Sequence, residues 1–216
     1  MNSNLAAKLR TGTQQSHTDA EHTDFMKRFL KSAIDKESFC KLLGNLYYIY
    51  SQLEAELECH KNQPLVQPLY FPELNRKANL EKDLGFYYGK NWSEQVLPTA
   101  AAQAYISRIR EVSSTQPVLL IAHAYTRYMG DLSGGQMLQK IAESLFGLHE
   151  HQGITFYDFD RIPDLNAFKG KYREALDSLA VDEATIEQIV AEANLSFSLN
   201  IQMLRELGEN QAVIAC

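Results

Sequence analysis

The amino-acid sequence predicts an all-α fold. Apolar residues recur at the 3.6-residue period of a helix along most of the chain, and only residues 153–159 read as strand-like. Breaks in this pattern coincide with proline or glycine, and the connections are short. With 216 residues, of which 45% are hydrophobic, the chain can bury a sizeable core. We therefore expect one compact domain of about seven or eight helices, spanning residues 1–216.

The first half of the chain contains three predicted helices before a proline-rich interruption. The first covers about residues 3–20, and a short helix near 24–32 is expected to be capped by Thr23 or Asp24. A long helix is predicted from about 36 to 61, because its apolar residues keep the helical period throughout. The interruption that follows contains Pro64, Pro68 and Pro72.

The second half continues the helical pattern with clearer end signals. Asn91 and Glu94 resemble a capping box. Thr115 is expected to cap a glycine-containing helix that Gly147 ends. Residues 153–159 are interpreted as a loop. The other helices are predicted over about 76–88, 99–112, 164–179 and 182–207.

Composition narrows the function classes. The formal net charge of −6 argues against nucleic acid as a partner. No apolar run approaches the ~20 residues that cross a membrane, and the first residues do not resemble a signal peptide. Three cysteines, Cys40, Cys59 and Cys216, have no metal-ligand spacing and are interpreted as free thiols. These features predict a cytoplasmic protein without a membrane anchor.

A stretch with three glycines inside a helical pattern is the most informative feature. Each interior glycine costs a helix about 1 kcal/mol relative to alanine. Gly130 and Gly134 are four residues apart and share one face, which therefore lacks side chains. Asp131 lies beside that face. The pattern is typical of a helix that covers a flat ligand, although close packing of two helices is an alternative interpretation.

The histidine residues are the second group of candidate functional residues, as possible metal ligands. No glutamate has a histidine three residues later, and no His-Glu-x-x-His motif occurs, which argues against di-iron and zinc-protease chemistry. His17 has Glu21 one helical turn later, and such a carboxylate can fix the tautomer of a metal-ligating imidazole. An exposed ion pair is the alternative interpretation. His123, on the glycine-containing helix, is a rival candidate for a ligand.

Two segments carry a resemblance to a known family. Residues 123–136, His-Ala-Tyr-Thr-Arg-Tyr-Met-Gly-Asp-Leu-Ser-Gly-Gly-Gln, closely resemble the distal-helix signature of the heme oxygenases. Residues 9–21 resemble the proximal helix of that family. The resemblance extends from about residue 5 to residue 207. It implies heme b sandwiched between the proximal helix and a glycine-bent distal helix, with His17 as the iron ligand and Glu21 as its partner.

The resemblance also implies roles for other side chains. The heme would lie against the backbone of Gly130 and Gly134, beside Asp131, which would deliver a proton through ordered water. The candidates for holding the heme propionates are Arg10, Tyr125, Lys169 and Arg173. The candidates for a polar network around Asp131 are Tyr50, Tyr105, Arg127 and Asn200.

The implied reaction is oxidative cleavage of heme to biliverdin IXα, carbon monoxide and ferrous iron, using O2 and a reductant. It would feed bilin pigment synthesis and release iron. The chain lacks the apolar anchor of animal members, and Asn75 stands where those members carry a histidine. Both features resemble the soluble cyanobacterial and algal enzymes, which implies ferredoxin as the electron donor and, in an alga, the plastid stroma as the location.

Two other functions stay open at this stage. A heme-sequestering or sensing protein could keep the pocket without turnover, but binding alone does not require Asp131. A helical interaction protein without a cofactor needs only the apolar stripes, and leaves the His17–Glu21 pair and the glycine face unexplained.

Overall fold

The computed structural model describes residues 3–212, with side chains up to residue 209. All regular secondary structure in this range is helical, which confirms the predicted fold class. Cys216, predicted to be a free thiol, lies outside the described residues. Cys40 is a buried free thiol and Cys59 an exposed one.

The first predicted helix is divided in two. Helix α1 (Leu5–Gly12) and helix α2 (Gln14–Glu21) are separated by Thr13, whose φ of −108° and ψ of 3° leave the α region. Helix α3 (Asp24–Leu30) is capped by Thr23, whose hydroxyl accepts a hydrogen bond from the Met26 amide, as predicted.

The long predicted helix is confirmed as α4 (Lys36–His60), which begins where the Asp35 carboxylate accepts the Ser38 amide at 2.7 Å. Short 3₁₀ turns at Gln67–Leu69 and Pro72–Leu74 follow in the proline-rich interruption. Proline is tolerated in such a first turn because no intrahelical donor is lost there.

The middle of the chain corrects one predicted cap. Helix α5 (Lys77–Tyr88) ends at Gly89, whose φ of 79° favours glycine. Helix α6 (Trp92–Gln95) is a single turn. The Asn91 side chain caps nothing, so the predicted capping box is wrong. Its φ of −98° and ψ of 27° are not the extended conformation that a side-chain cap requires.

A second predicted cap is also wrong. Helix α7 (Ala100–Thr115) is capped by Thr99 and includes Thr115 as its last residue. The Thr115 hydroxyl donates to the Glu111 carbonyl at 2.7 Å, so it serves this helix and not the next one. A 3₁₀ turn at Pro117–Leu119 starts the segment that follows.

The glycine-containing segment is one continuous helical segment with an irregular centre. Helix α8 (Leu120–Ala124) passes into a π-helical turn at Tyr125–Met129, and helix α9 (Gly130–Phe146) follows directly. Gly147, at φ 61°, ends α9 as predicted. π-Helical turns are rare, and those that do occur are often found at functional sites.

The C-terminal part contains two helices, and one of them organises the fold. Residues 153–159 include a 3₁₀ turn at Thr155–Tyr157, and helix α10 is Leu165–Asp177. Helix α11 (Glu183–Ala212) packs against α1, α2 and α3 on one side and against α7 and α8 on another. It therefore holds the N-terminal helices and the glycine-containing segment in a common frame. No helix of residues 3–212 is both long and apolar enough to cross a membrane.

Candidate active site

A cavity of about 1010 Å³ lies between the N-terminal helices α1 and α2 and the segment formed by the π turn and α9. Its volume is at the upper end of the range for small-molecule sites, which is roughly 300–1,000 Å³. Helices α3, α4, α10 and α11 and the 3₁₀ turn at Thr155–Tyr157 contribute the remaining walls. The apolar part of the lining includes Phe29, Leu46, Leu138, Phe156 and Phe197.

His17 lies on the first wall of the cavity. Its side chain is 56% exposed, and its Nδ1 atom is 3.8 Å from Oε1 of Glu21. The ring meets Phe197 of α11 edge-on, with centroids 6.0 Å apart. Because Nδ1 faces the carboxylate, Nε2 is the ring nitrogen left for a ligand.

Gly130 and Gly134 lie on the opposite wall. A Cβ atom built on either residue meets no protein atom within 4 Å, and both residues line the cavity. Gly130 has helical dihedrals, φ −63° and ψ −50°, so its backbone does not require glycine. Open space is therefore what the two glycines provide. Gly135 differs, since a Cβ atom there lies 3.3 Å from the Tyr157 ring.

Asp131 follows Gly130 and anchors a polar network. The Tyr50 hydroxyl donates to Oδ2 of Asp131, and Nε of Arg127 donates to the Tyr50 oxygen at 3.1 Å. Nη1 of Arg127 donates to Oδ1 of Asn200 at 2.7 Å, and its Nη2 is 3.9 Å from Oδ1 of Asp131. Helices α4 and α11 thus join the π turn and α9 at this point.

The pKa of the Asp131 carboxyl is raised above its ordinary value. Burial raises the pKa of this carboxyl, while the Arg127 charge and the Tyr50 hydrogen bond oppose the increase. Burial also raises the pKa of the Tyr50 phenol well above its ordinary value. A buried acid with a raised pKa, at the edge of a cavity, is suited to hold and transfer a proton.

Two of the candidates lie apart from the cavity. The Tyr105 hydroxyl is 2.5 Å from the Ser196 hydroxyl of α11, and Tyr105 is not part of the cavity lining. His123 is fully buried, with Nε2 2.9 Å from Oε1 of Glu192. The rival assignment of His123 as a metal ligand is therefore wrong, because its imidazole fastens α8 to α11 and does not line the cavity.

Positive charge lies at the cavity mouth. Arg10 of α1 and Arg173 of α10 both line it, as does Tyr125. Burial raises the pKa of the Tyr125 phenol, and the nearby charges of Arg173 and Arg10 counteract the increase. Lys169, one turn before Arg173, is half-buried and does not belong to the lining.

Two buried charged side chains behind Tyr50, Glu54 and Arg76, were not predicted. Glu54 lies one helical turn after Tyr50, and its Oε1 atom accepts the amides of Arg76 and Lys77. The Arg76 guanidinium donates to the Leu74 carbonyl at 2.8 Å and the Phe156 carbonyl at 3.1 Å. It thereby holds the 3₁₀ turn that supplies Phe156 to the cavity. The available signal was a glutamate at helical spacing from Tyr50 within an apolar face.

These features define a class of protein: a helical protein with a cavity between two helices that suits a flat ring. A histidine lies on one wall, a bare backbone and a buried carboxyl lie on the other, and two arginines stand at the mouth. The sequence model of the heme oxygenase family matches residues 3–206. The chain therefore belongs to the heme oxygenase family, as the resemblance predicted.

Relatives and solved structures agree with this assignment. The chain is 53% identical to heme oxygenase 1 of Nostoc sp. over 210 residues, covering 97% of this chain and 88% of that one. It is 51% identical to the heme oxygenase of Guillardia theta, covering 96% and 87%. The crystal structure of heme oxygenase-1 from the cyanobacterium Synechocystis sp. in complex with heme has a TM-score of 0.94. That match is 51% identical and covers 97% of this chain and 96% of that one.

Proposed function

We propose that this heme oxygenase cleaves heme to biliverdin IXα, carbon monoxide and ferrous iron, and that His17 holds the iron. One observation carries the proposal. A histidine whose Nε2 has no hydrogen-bond partner within the described residues lines the same cavity as two glycines that leave open space, and a buried carboxyl stands beside those glycines. The donor set fits heme, because imidazole is a common iron ligand and the arginines match the two heme carboxylates.

Heme, when bound, supplies the iron that binds O2 and the ring that is oxidised. The protein's own residues then have separable tasks. Glu21 fixes the orientation of His17, and Arg10 and Arg173 bind the carboxylates at the mouth. Gly130 and Gly134 let the ring and O2 approach the α9 backbone closely.

The proton needed for ring oxidation is assigned to Asp131. Its carboxyl is buried, accepts from Tyr50, and lines the cavity near the glycine wall. Arg127 and Asn200 fix the phenol and the carboxyl by a chain of hydrogen bonds. A positioned acid of this kind contributes typically about 10²–10⁴-fold to a rate.

We further propose ferredoxin as electron donor, since the relatives include cyanobacterial and algal proteins. The proposed location is the cytoplasm, or the plastid stroma if the source is an alga. A heme-sequestering protein is the second candidate function. The buried Asp131 network speaks against it, because heme binding alone does not require that carboxyl.

A two-stage assay tests the proposal. Purified protein is titrated with hemin and monitored for a Soret band. Ferredoxin, ferredoxin reductase and NADPH are then added in air, with an anaerobic sample as control. We expect a bilin absorbance band only in air. A saturating Soret band without bilin under any reductant supports the sequestering function and contradicts the proposal.

A further inference from the structure

The break between α1 and α2 is held by a side chain from α11. Oδ1 of Asn194 accepts from the Ser16 hydroxyl at 2.6 Å. Its Nδ2 donates to the Gly12 carbonyl at 3.0 Å and to the Val190 carbonyl of its own helix at 3.0 Å. The amide orientation follows from chemistry, because both carbonyls can only accept.

Asn194 belongs to a face of α11 that follows the N-terminal helices closely. Val190, Asn194 and Phe197 are spaced by four and three residues and so lie on one face. Val190 lies against Gly12, where a Cβ atom would come within 2.5 Å of its Cγ1. Phe197 contacts the His17 ring. Along this face, Val190 and Asn194 contact the break between α1 and α2, and Phe197 contacts the imidazole ring of His17.

This geometry determines where His17 points. Gly12 ends α1, and its carbonyl is bound by the Asn194 amide, while Ser16 immediately precedes His17 in α2. The hydrogen bonds to Gly12 and Ser16 connect both sides of the break to helix α11. Asn194 is thus placed where it can set the direction of α2, and with it that of the imidazole.

We propose that Asn194 is a positioning residue that sets the orientation of the His17 imidazole towards the heme iron. The inference rests on the proposed function of His17 as the iron ligand. Asn200, on the same helix, is bonded to Arg127 at the opposite wall. Helix α11 therefore sets the two walls relative to each other.

The test uses Asn194→Leu, which keeps the approximate size of the side chain and removes its hydrogen bonds to Ser16, Gly12 and Val190. Ser16→Ala removes only the bond next to His17. Ser198→Ala is the matched control, since this exposed hydroxyl donates to the Asn194 backbone carbonyl at 3.0 Å and forms no hydrogen bond with the described residues of α1 or α2. Each protein is bound to heme and reduced, and the iron–histidine stretching band is recorded by resonance Raman spectroscopy. Heme affinity and the melting temperature are measured in parallel.

We expect Asn194→Leu to shift or broaden the iron–histidine band and to weaken heme binding roughly two- to tenfold, the range that one net hydrogen bond covers. Ser16→Ala should change the band in the same direction by less, and Ser198→Ala should leave it unchanged. If Asn194→Leu does not fold, the iron–histidine band of Ser16→Ala tests the positioning role instead: a shifted band supports it and an unshifted band contradicts it.

Two different failures can be told apart. An unshifted band in a folded variant overturns the positioning role, even if the melting temperature falls, and leaves His17 as the ligand. A wild-type protein without any iron–histidine band, or a His17→Ala variant that keeps it, overturns the proposed function and the inference together.

Discussion

The Tyr50 phenol donates a hydrogen bond to Oδ2 of Asp131, and Arg127 donates to the oxygen of the same phenol. Residues from α4, the π turn and α9 thus form one chain of donors that ends on a buried carboxyl beside the cavity. A carboxyl held in this way accepts further hydrogen bonds only in fixed directions, which is the condition for directed proton transfer.

Asp131→Ala should uncouple the reaction. The variant loses the acid at the cavity wall, so we expect heme binding to persist and bilin formation to fall by about a hundredfold or more. Oxygen and reductant should still be consumed, and the complex should oxidise a phenol when given hydrogen peroxide. Bilin yield per reductant consumed is the measurement. Normal yield at a normal rate contradicts the role of Asp131.

Tyr50→Phe and Tyr105→Phe form a matched pair of phenol deletions. Tyr50 bonds Asp131 directly, whereas the Tyr105 hydroxyl lies 2.5 Å from Ser196. The Tyr50 hydrogen bond lowers the pKa of Asp131, so its loss should raise that pKa further. We expect the pH profile of bilin formation to move to higher pH in Tyr50→Phe and not in Tyr105→Phe. Equal shifts in both variants contradict the direct network.

Arg173→Glu and Lys169→Glu test the cavity mouth. Arg173 lines the cavity and Lys169 does not. A charge-assisted hydrogen bond contributes about 1.5–3 kcal/mol, and 1.4 kcal/mol changes a population tenfold. Arg173→Glu should therefore let the heme rotate in its plane and give a mixture of biliverdin isomers. Lys169→Glu should change the isomer distribution less.

Isomer analysis by chromatography distinguishes these outcomes. If both variants give one unchanged isomer, wall packing orients the heme. The two positive charges are then better explained as a docking patch for an acidic electron donor. In that case ferredoxin-driven turnover should fall while turnover with a small chemical reductant is retained.

Glu54→Gln should change the pH dependence of stability. Burial raises the pKa of this carboxyl from 4.5 to about 7 in the folded protein, against hydrogen bonds from the Arg76 and Lys77 amides. Below pH 4.5 the group is protonated in both the folded and the unfolded state. Between pH 4.5 and 7 the unfolded state ionises first, so the wild-type free energy of unfolding falls as pH rises.

The amide removes this loss, so the variant-minus-wild-type free energy of unfolding should rise by up to about 3 kcal/mol between pH 4.5 and 7, and then level off. Urea unfolding at a series of pH values measures the difference. The exposed Glu187 supplies the control variant Glu187→Gln, for which no such rise is expected. A flat difference for Glu54→Gln contradicts the burial effect.

Sequence patterns predicted the helices well because the helical period and the cap residues are local signals. The cap at Thr23 and the end at Gly147 depend on neighbours within one turn. The break at Thr13 has no such signal. Val190 and Asn194 contact this break but are distant in the chain, and the apolar period of α1 does not reveal them.

The residues of the candidate site also divide into those that local sequence predicts and those whose position depends on how helices pack. Gly130 and Gly134 could be chosen from their spacing because an unfilled helix face is a local property. The burial of His123 against Glu192 could not, since it depends on how α8 meets α11. Lys169 and Arg173 share a helix face by spacing, yet only Arg173 reaches the cavity lining, because that depends on how α10 packs.

His17→Ala tests the central claim most directly. The cavity walls and mouth charges persist in this variant, so heme should still associate, but the iron loses its protein ligand. The measurement is single-turnover bilin formation from the heme complex, with and without added imidazole. We predict no bilin from the variant alone and partial recovery with imidazole. A wild-type Soret spectrum and full bilin yield from His17→Ala, without imidazole, contradict the claim.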